Sequence, residues 1–118
     1  MQASLEGIPQ SGQVRIDISV TAQMNYTSYA AQHKVNGFVL SEISYMLHAG
    51  EPVLQVGNRL RWRVPVILSL RSKGDVGEVG HIEVDVETGQ LNVTPALIQE
   101  IDARSEALAQ RATSPATE

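Results

Sequence analysis

Cysteine is absent from this 118-residue chain, so disulfide cross-links and thiolate metal sites are excluded from the outset. Aromatic residues are scarce, at one Trp, three Tyr and one Phe, and any core is therefore expected to be mostly aliphatic. No apolar run approaches the roughly 18 residues that a membrane-crossing helix needs, which sets aside a membrane-spanning role. The opening MQASLEGIPQSGQ has neither a basic stretch nor an apolar one behind it. It does not read as a secretion signal, and a cytoplasmic protein is expected. Basic residues are few early in the chain: only Arg15 and Lys34 fall within the first 50 positions, and the net charge is -4. Nucleic-acid affinity rests on neutralising phosphates with Lys and Arg, so this balance argues against a nucleic-acid partner.

What is present is ordinary globular composition, 42% hydrophobic and 19% charged, in a length that suits one domain. The chain is expected to divide into a flexible arm over 1–12, a single α+β domain over 13–112 and a disordered tail over 113–118. Its fold class is an antiparallel sheet meander packed against one long helix, with an N-terminal strand and a C-terminal helix. The period is two in VRIDISV, where Val14, Ile16, Ile18 and Val20 alternate with Arg15, Asp17 and Ser19, which predicts a strand with one apolar face. From Ser28 to His48 the spacing becomes helical, with Ala31, Val35, Val39, Ile43 and Leu47 forming an i, i+4 stripe flanked by Phe38 and Met46. Asn36-Gly37 either weakens this helix or divides it in two. His48 is expected in the last turn and Gly50 at the stop.

A short apolar stretch, PVLQV, then leads through Gly57-Asn58 into LRWRVPVILSL. In that strand Trp62, Val64, Val66, Leu68 and Leu70 share one face, and Pro65, which has no N–H to donate, argues for an edge position or a local bulge. After the loop RSKGDVG, Ile82, Val84 and Val86 face inward along the next strand. Glu87-Thr88-Gly89-Gln90 closes it with a turn into LNV. Thr94 and Pro95 are the N-cap and first residue of a last helix that reaches about Ala112, with Leu97, Ile101 and Leu108 on its apolar side.

The densest potential chemistry lies in HIEVDVETGQL, where Glu83, Asp85 and Glu87 occupy every second position. If the two long strands pair across the 71–77 loop, Arg63 faces Asp85 and Arg61 faces Glu87, giving an ion-paired outer face. A calcium loop needs oxygen ligands converging from a turn, and DVETGQ lacks the third ligand and the closing acid. No metal and no cofactor are expected. Gly74, Gly77 and Gly80 beside Arg71 and Lys73 match neither a dinucleotide nor a phosphate-loop pattern. His33, His48 and His81 have no metal-ligand spacing. No catalytic residues are expected and the chain is read as a non-enzyme.

The order helix, PVLQV, RLRWRVPVILSL, loop and GHIEVDVETGQL resembles the PepSY-type arrangement over residues 30–92, in which a helix packs on an antiparallel meander. The chain departs from that family in lacking its usual export signal. WRVPV together with VGxVGxIxVDVETG is also similar to small bacterial proteins that are sometimes encoded beside PIN-domain toxins. The resemblance implies a small, non-enzymatic regulatory or protein-binding module, antitoxin-like, with a PIN-type toxin as a candidate partner. The alternative is a ribbon-helix-helix DNA-binding regulator reading bases with Arg15, Asp17, Ser19 and Thr21, its two helices separated at Asn36-Gly37. Because the first strand is remote in sequence from the meander, a homodimer is expected, with Val14, Ile16, Ile18 and Val20 in the self-association interface.

Overall fold

The computed structural model describes residues 21–113, together with Gly12, Asp17 and Ser19. Val14, Ile16, Ile18 and Val20, assigned above to a strand and to self-association, lie outside the described residues. Asp17 and Ser19 are exposed and belong to no strand. The fold is α+β. It runs α1 (Ser28–Glu42), β1 (Leu47–Ala49), β2 (Val53–Gln55), β3 (Arg61–Leu70), β4 (Gly74–Asp85), β5 (Leu91–Asn92) and α2 (Pro95–Thr113). All strand pairs are antiparallel, in the order β1-β3-β4-β5, with β2 sharing the β1 side of β3.

Thr27 starts α1, its Oγ1 accepting the Ala30 N–H at 3.1 Å. The helix is continuous through Asn36-Gly37, so the two-helix arrangement that a ribbon-helix-helix reading needs there is not formed. It also ends earlier than the apolar spacing predicts. The Ile43 and Ser44 N–H groups both reach the Val39 carbonyl, at 3.1 and 2.9 Å, and Ser44 Oγ accepts the Met46 N–H at 3.1 Å. This local turn competes with helix continuation. Leu47 and His48 therefore sit in a strand, and Gly50 is not a helix stop but directly follows β1, its N–H bonded to the Pro65 carbonyl of β3 at 2.8 Å.

Alternation in β3 turns Val64, Val66, Leu68 and Leu70 inward, and Val79, Ile82 and Val84 join them from β4. Ala31, Val35 and Val39 cover this face from α1, and Ile101 from α2. Each fully buried Leu, Ile or Val of this set contributes roughly 1.5–3 kcal/mol. Thr94 caps α2 as expected, its Oγ1 accepting the Leu97 N–H at 3.1 Å.

The 71–77 segment is not a long loop. A turn at Arg71–Lys73 suffices, with Lys73 N–H on the Leu70 carbonyl at 3.1 Å, and β4 begins at Gly74. Gly77 and Gly80 lie beneath α2. A Cβ at Gly80 would stand 2.7 Å from Ile101 Cγ1, and one at Gly77 would stand 3.2 Å from Leu108 Cδ2, so both glycines exist to let the helix approach. Register shifts between Val66 and Ile67, and between Leu68 and Ser69, absorb the extra residues of β4.

Candidate functional site

On the outer sheet face the register is Arg61 opposite Asp85 and Arg63 opposite Glu83, two residues away from the pairing inferred above, because the shorter hairpin slides β4 along β3. The side-chain row survives, since a shift of two keeps every residue on its face. Its partners change. Arg59 meets Asp85 at 2.5 Å and Glu87 at 3.5 Å, Arg61 meets Glu83 at 3.7 Å, and Arg63 meets Glu78 at 3.7 Å.

Asp85 organises the turn that follows it. Its Oδ1 accepts the Glu87 and Thr88 N–H groups at 2.8 and 3.0 Å, and the Gly89 N–H reaches the Asp85 carbonyl at 2.8 Å. Gly89 takes a left-handed φ of +74° that a side chain would strain, and the Tyr26 ring packs against it where a Cβ would stand. Lys34 Nζ lies 4.9 Å from the centroid of that ring and donates to the Gly89 carbonyl at 2.6 Å. The Asn25 and Tyr26 N–H groups bond the Val86 carbonyl at 2.9 and 3.0 Å, and Trp62 Nε1 donates to the Tyr26 carbonyl at 2.8 Å. The Arg59 hydrogen bond holds the Asp85 carboxyl well below the usual carboxylate range, aided by the two turn N–H groups and opposed by desolvation. VDVETG is thus the clasp that fastens the segment before α1 to the end of the sheet.

The edge formed by β1 and β2 is more informative. Glu51 and Pro52 interrupt it, so the two short strands are halves of one edge beside β3. In the Gly50–Pro65 pair the proline carbonyl accepts from Gly50, but proline has no N–H to return. Gln32 Nε2 supplies the missing donor, at 2.9 Å from the Gly50 carbonyl and 3.4 Å from that of Ala49. Asn36 Oδ1 accepts the Ala49 N–H at 2.9 Å. The β1 half is therefore closed by side-chain amides of α1. Pro65 lies in an interior strand, which corrects the edge reading, and the adjacent register shift fits the bulge reading.

Among the described residues the β2 half has no such cover. Gly50 on Pro65 and Ser69 on the Met46 carbonyl show which β3 residues direct their backbone toward this side. Alternation makes Val53–Arg63 and Gln55–Arg61 the bonded pairs and turns the Leu54 N–H and C=O outward. Val53, Leu54 and Val56 are exposed by 57%, 39% and 44%, large values for aliphatic side chains on a sheet. Beside them, a cavity of about 300 Å³ opens between Gln55, Asn58, Arg59, Arg61 and Glu83.

No protein-family model, curated protein or solved structure matches this chain. The site consequently rests on its own geometry. The three histidines are apart: His33 stacks on Tyr29 with centroids 6.0 Å apart, His48 Nε2 lies 2.9 Å from Asp75 Oδ1, and His81 Nδ1 lies 3.2 Å from Arg63. The His48 contact lowers the Asp75 pKa against desolvation. Among the described residues no three His, Cys, Asp or Glu side chains are grouped to hold a metal. Of the residues proposed to read DNA, Asp17, Ser19 and Thr21 are exposed and Arg15 lies outside the described residues. Sequence reasoning missed the open edge. Its signal was PVLQV, an apolar stretch of no fixed period bracketed by Pro52 and Gly57.

Proposed function

We propose that this chain is a non-enzymatic protein-binding module that takes an extended segment of a partner as a further strand on β2. The observation that carries the reading is the contrast between the halves of one edge: the Ala49 backbone is held by Asn36 and Gln32, while the Leu54 backbone points outward among exposed apolar side chains. Strand addition draws affinity from main-chain hydrogen bonds and specificity from alternate side chains, and β2 offers both. The ionisable side chains of the outer face support the non-enzymatic part, since they pair with one another across a flat sheet. An antitoxin-like role fits this mode, and a PIN-type toxin is the first partner to co-express.

The test uses Leu54→Pro, which deletes the outward N–H and leaves the ladder to β3 intact, beside Leu54→Ala, which keeps that N–H. Tagged copies are expressed in the native host and captured proteins are identified by mass spectrometry. A partner held by the wild type and by Leu54→Ala but lost from a folded Leu54→Pro is the expected result. Equal capture by a folded Leu54→Pro refutes strand addition at β2.

A further inference from the structure

Resting on the strand-addition reading of β2, we infer that the segment it takes from a partner protein has the pattern apolar, acidic, apolar, with the carboxylate seated at Arg61. The edge sorts its neighbours by face. A strand added to β2 places one row of side chains beside Leu54, on the side of Trp62, and the other beside Val53 and Gln55, on the side of Arg63 and Arg61. The first row is apolar. Leu54 and Val56, two residues apart and exposed by 39% and 44%, are covered by apolar side chains of the same spacing. The residue between those two then falls beside Gln55, on the face of Arg61.

That position opens on the cavity of about 300 Å³ between Gln55, Asn58, Arg59, Arg61 and Glu83, and the cavity is rich in donors. Arg59 is engaged by Asp85 and Glu87, whereas the Arg61 guanidinium reaches Glu83 only at 3.7 Å, beyond hydrogen-bond distance. Glu83 in turn accepts from Asn92 Nδ2 at 3.4 Å. Arg61 therefore has N–H groups to give, and the Gln55 and Asn58 amides stand beside it. A guanidinium fork with two side-chain amides suits a carboxylate, while an ammonium there would face Arg59 and Arg61 against Glu83 alone. Reach agrees with this. An added strand runs about 10 Å from β3, a gap that a glutamate from one side and Arg61 from the other close over Gln55.

The test titrates the isotope-labelled full chain with the peptides STVEVTS, STVQVTS and STVKVTS and follows its backbone amide signals by NMR. STVEVTS is expected to move the Leu54 and Val56 signals and to bind about tenfold more tightly than STVKVTS, the size of one charge-assisted contact. Added salt should narrow that difference. In a folded Arg61→Gln the glutamate and glutamine peptides should bind alike, and a preference unchanged there overturns the seat at Arg61. Equal affinity of the wild type for the glutamate and lysine peptides, with Leu54 still responding, overturns the acidic pattern and leaves strand addition standing. Binding of STVEVTS that survives in a folded Leu54→Pro refutes strand addition and this inference together. No response to any of the peptides overturns the inference, and the capture experiment then decides the edge reading by itself. A wild-type dimer in light scattering that STVEVTS dissociates makes a second copy the occupant and overturns the commitment to a different protein.

Discussion

Replacing Asp85 by Ala asks whether the acidic row is architecture. The substitution removes the acceptor of two turn N–H groups at 2.8 and 3.0 Å and the 2.5 Å partner of Arg59. A hydrogen bond to a charged acceptor contributes about 1.5–3 kcal/mol, so two of them set an upper bound of about 3–6 kcal/mol. Thr88 and Arg59 are exposed, and water replaces part of what is lost. The ion pair itself is at the surface and adds little. A net loss of about 2–3 kcal/mol is expected for Asp85→Ala, and about 1 kcal/mol for Asp85→Asn, which keeps one acceptor oxygen. The folded carboxyl is depressed, so its stabilisation is present above the unfolded pKa of about 4 and is lost as pH falls through the folded value. The gap between wild type and Asp85→Asn should be full at pH 7 and shrink below about pH 4. Urea unfolding followed by the single tryptophan, Trp62, measures each value. A loss below about 0.5 kcal/mol for Asp85→Ala refutes the clasp. Equally damaging is a saturable rise in Tm with millimolar calcium that Asp85→Ala abolishes, because it makes the row a metal site.

Gly80→Ala forces a Cβ against Ile101 and should cost about 1–3 kcal/mol; in a background of Ile101→Ala the cost should fall, and additive losses in the unfolding cycle count against the contact. Gln32→Leu strands the Gly50 carbonyl and should destabilise by about 1–3 kcal/mol. Pro65→Val restores the backbone donor, so the Gln32→Leu penalty measured by the same unfolding should be smaller there, and an unchanged penalty places the role of Gln32 elsewhere.

The two long strands were legible because β3 alternates without interruption from Trp62 to Leu70, and a period of two fixes which side chains face the core. Their register was not, since it depends on how tightly Arg71–Lys73 turns and on two irregularities opposite β3 that no local pattern announces. The end of α1 was misplaced for a related reason. Leu47 is apolar and buried whether it ends a helical stripe or opens a strand, and only the Ser44 turn decides. The acidic row was expected to pair with arginines, and it does, but Arg59 as the partner of Asp85 depended on that same register. The open β2 edge was invisible because exposure there is set by Gln32 and Asn36 reaching β1 and stopping short of β2, a tertiary outcome. The alternation of VRIDISV falls on residues outside those described, apart from Asp17 and Ser19.

The side-chain closure of β1 also separates two events that are normally read as one. Ala49 and Gly50 are neighbours, yet the Ala49 N–H is held by Asn36 of the helix and the Gly50 N–H by Pro65 of the sheet. Amide exchange at Ala49 therefore clocks the lifting of α1, while exchange at Gly50 clocks the opening of the sheet itself. Two adjacent amides form a differential gauge: if the helix undocks as a unit of its own, the first loses protection while the second keeps it, and if the domain opens all at once the two exchange together.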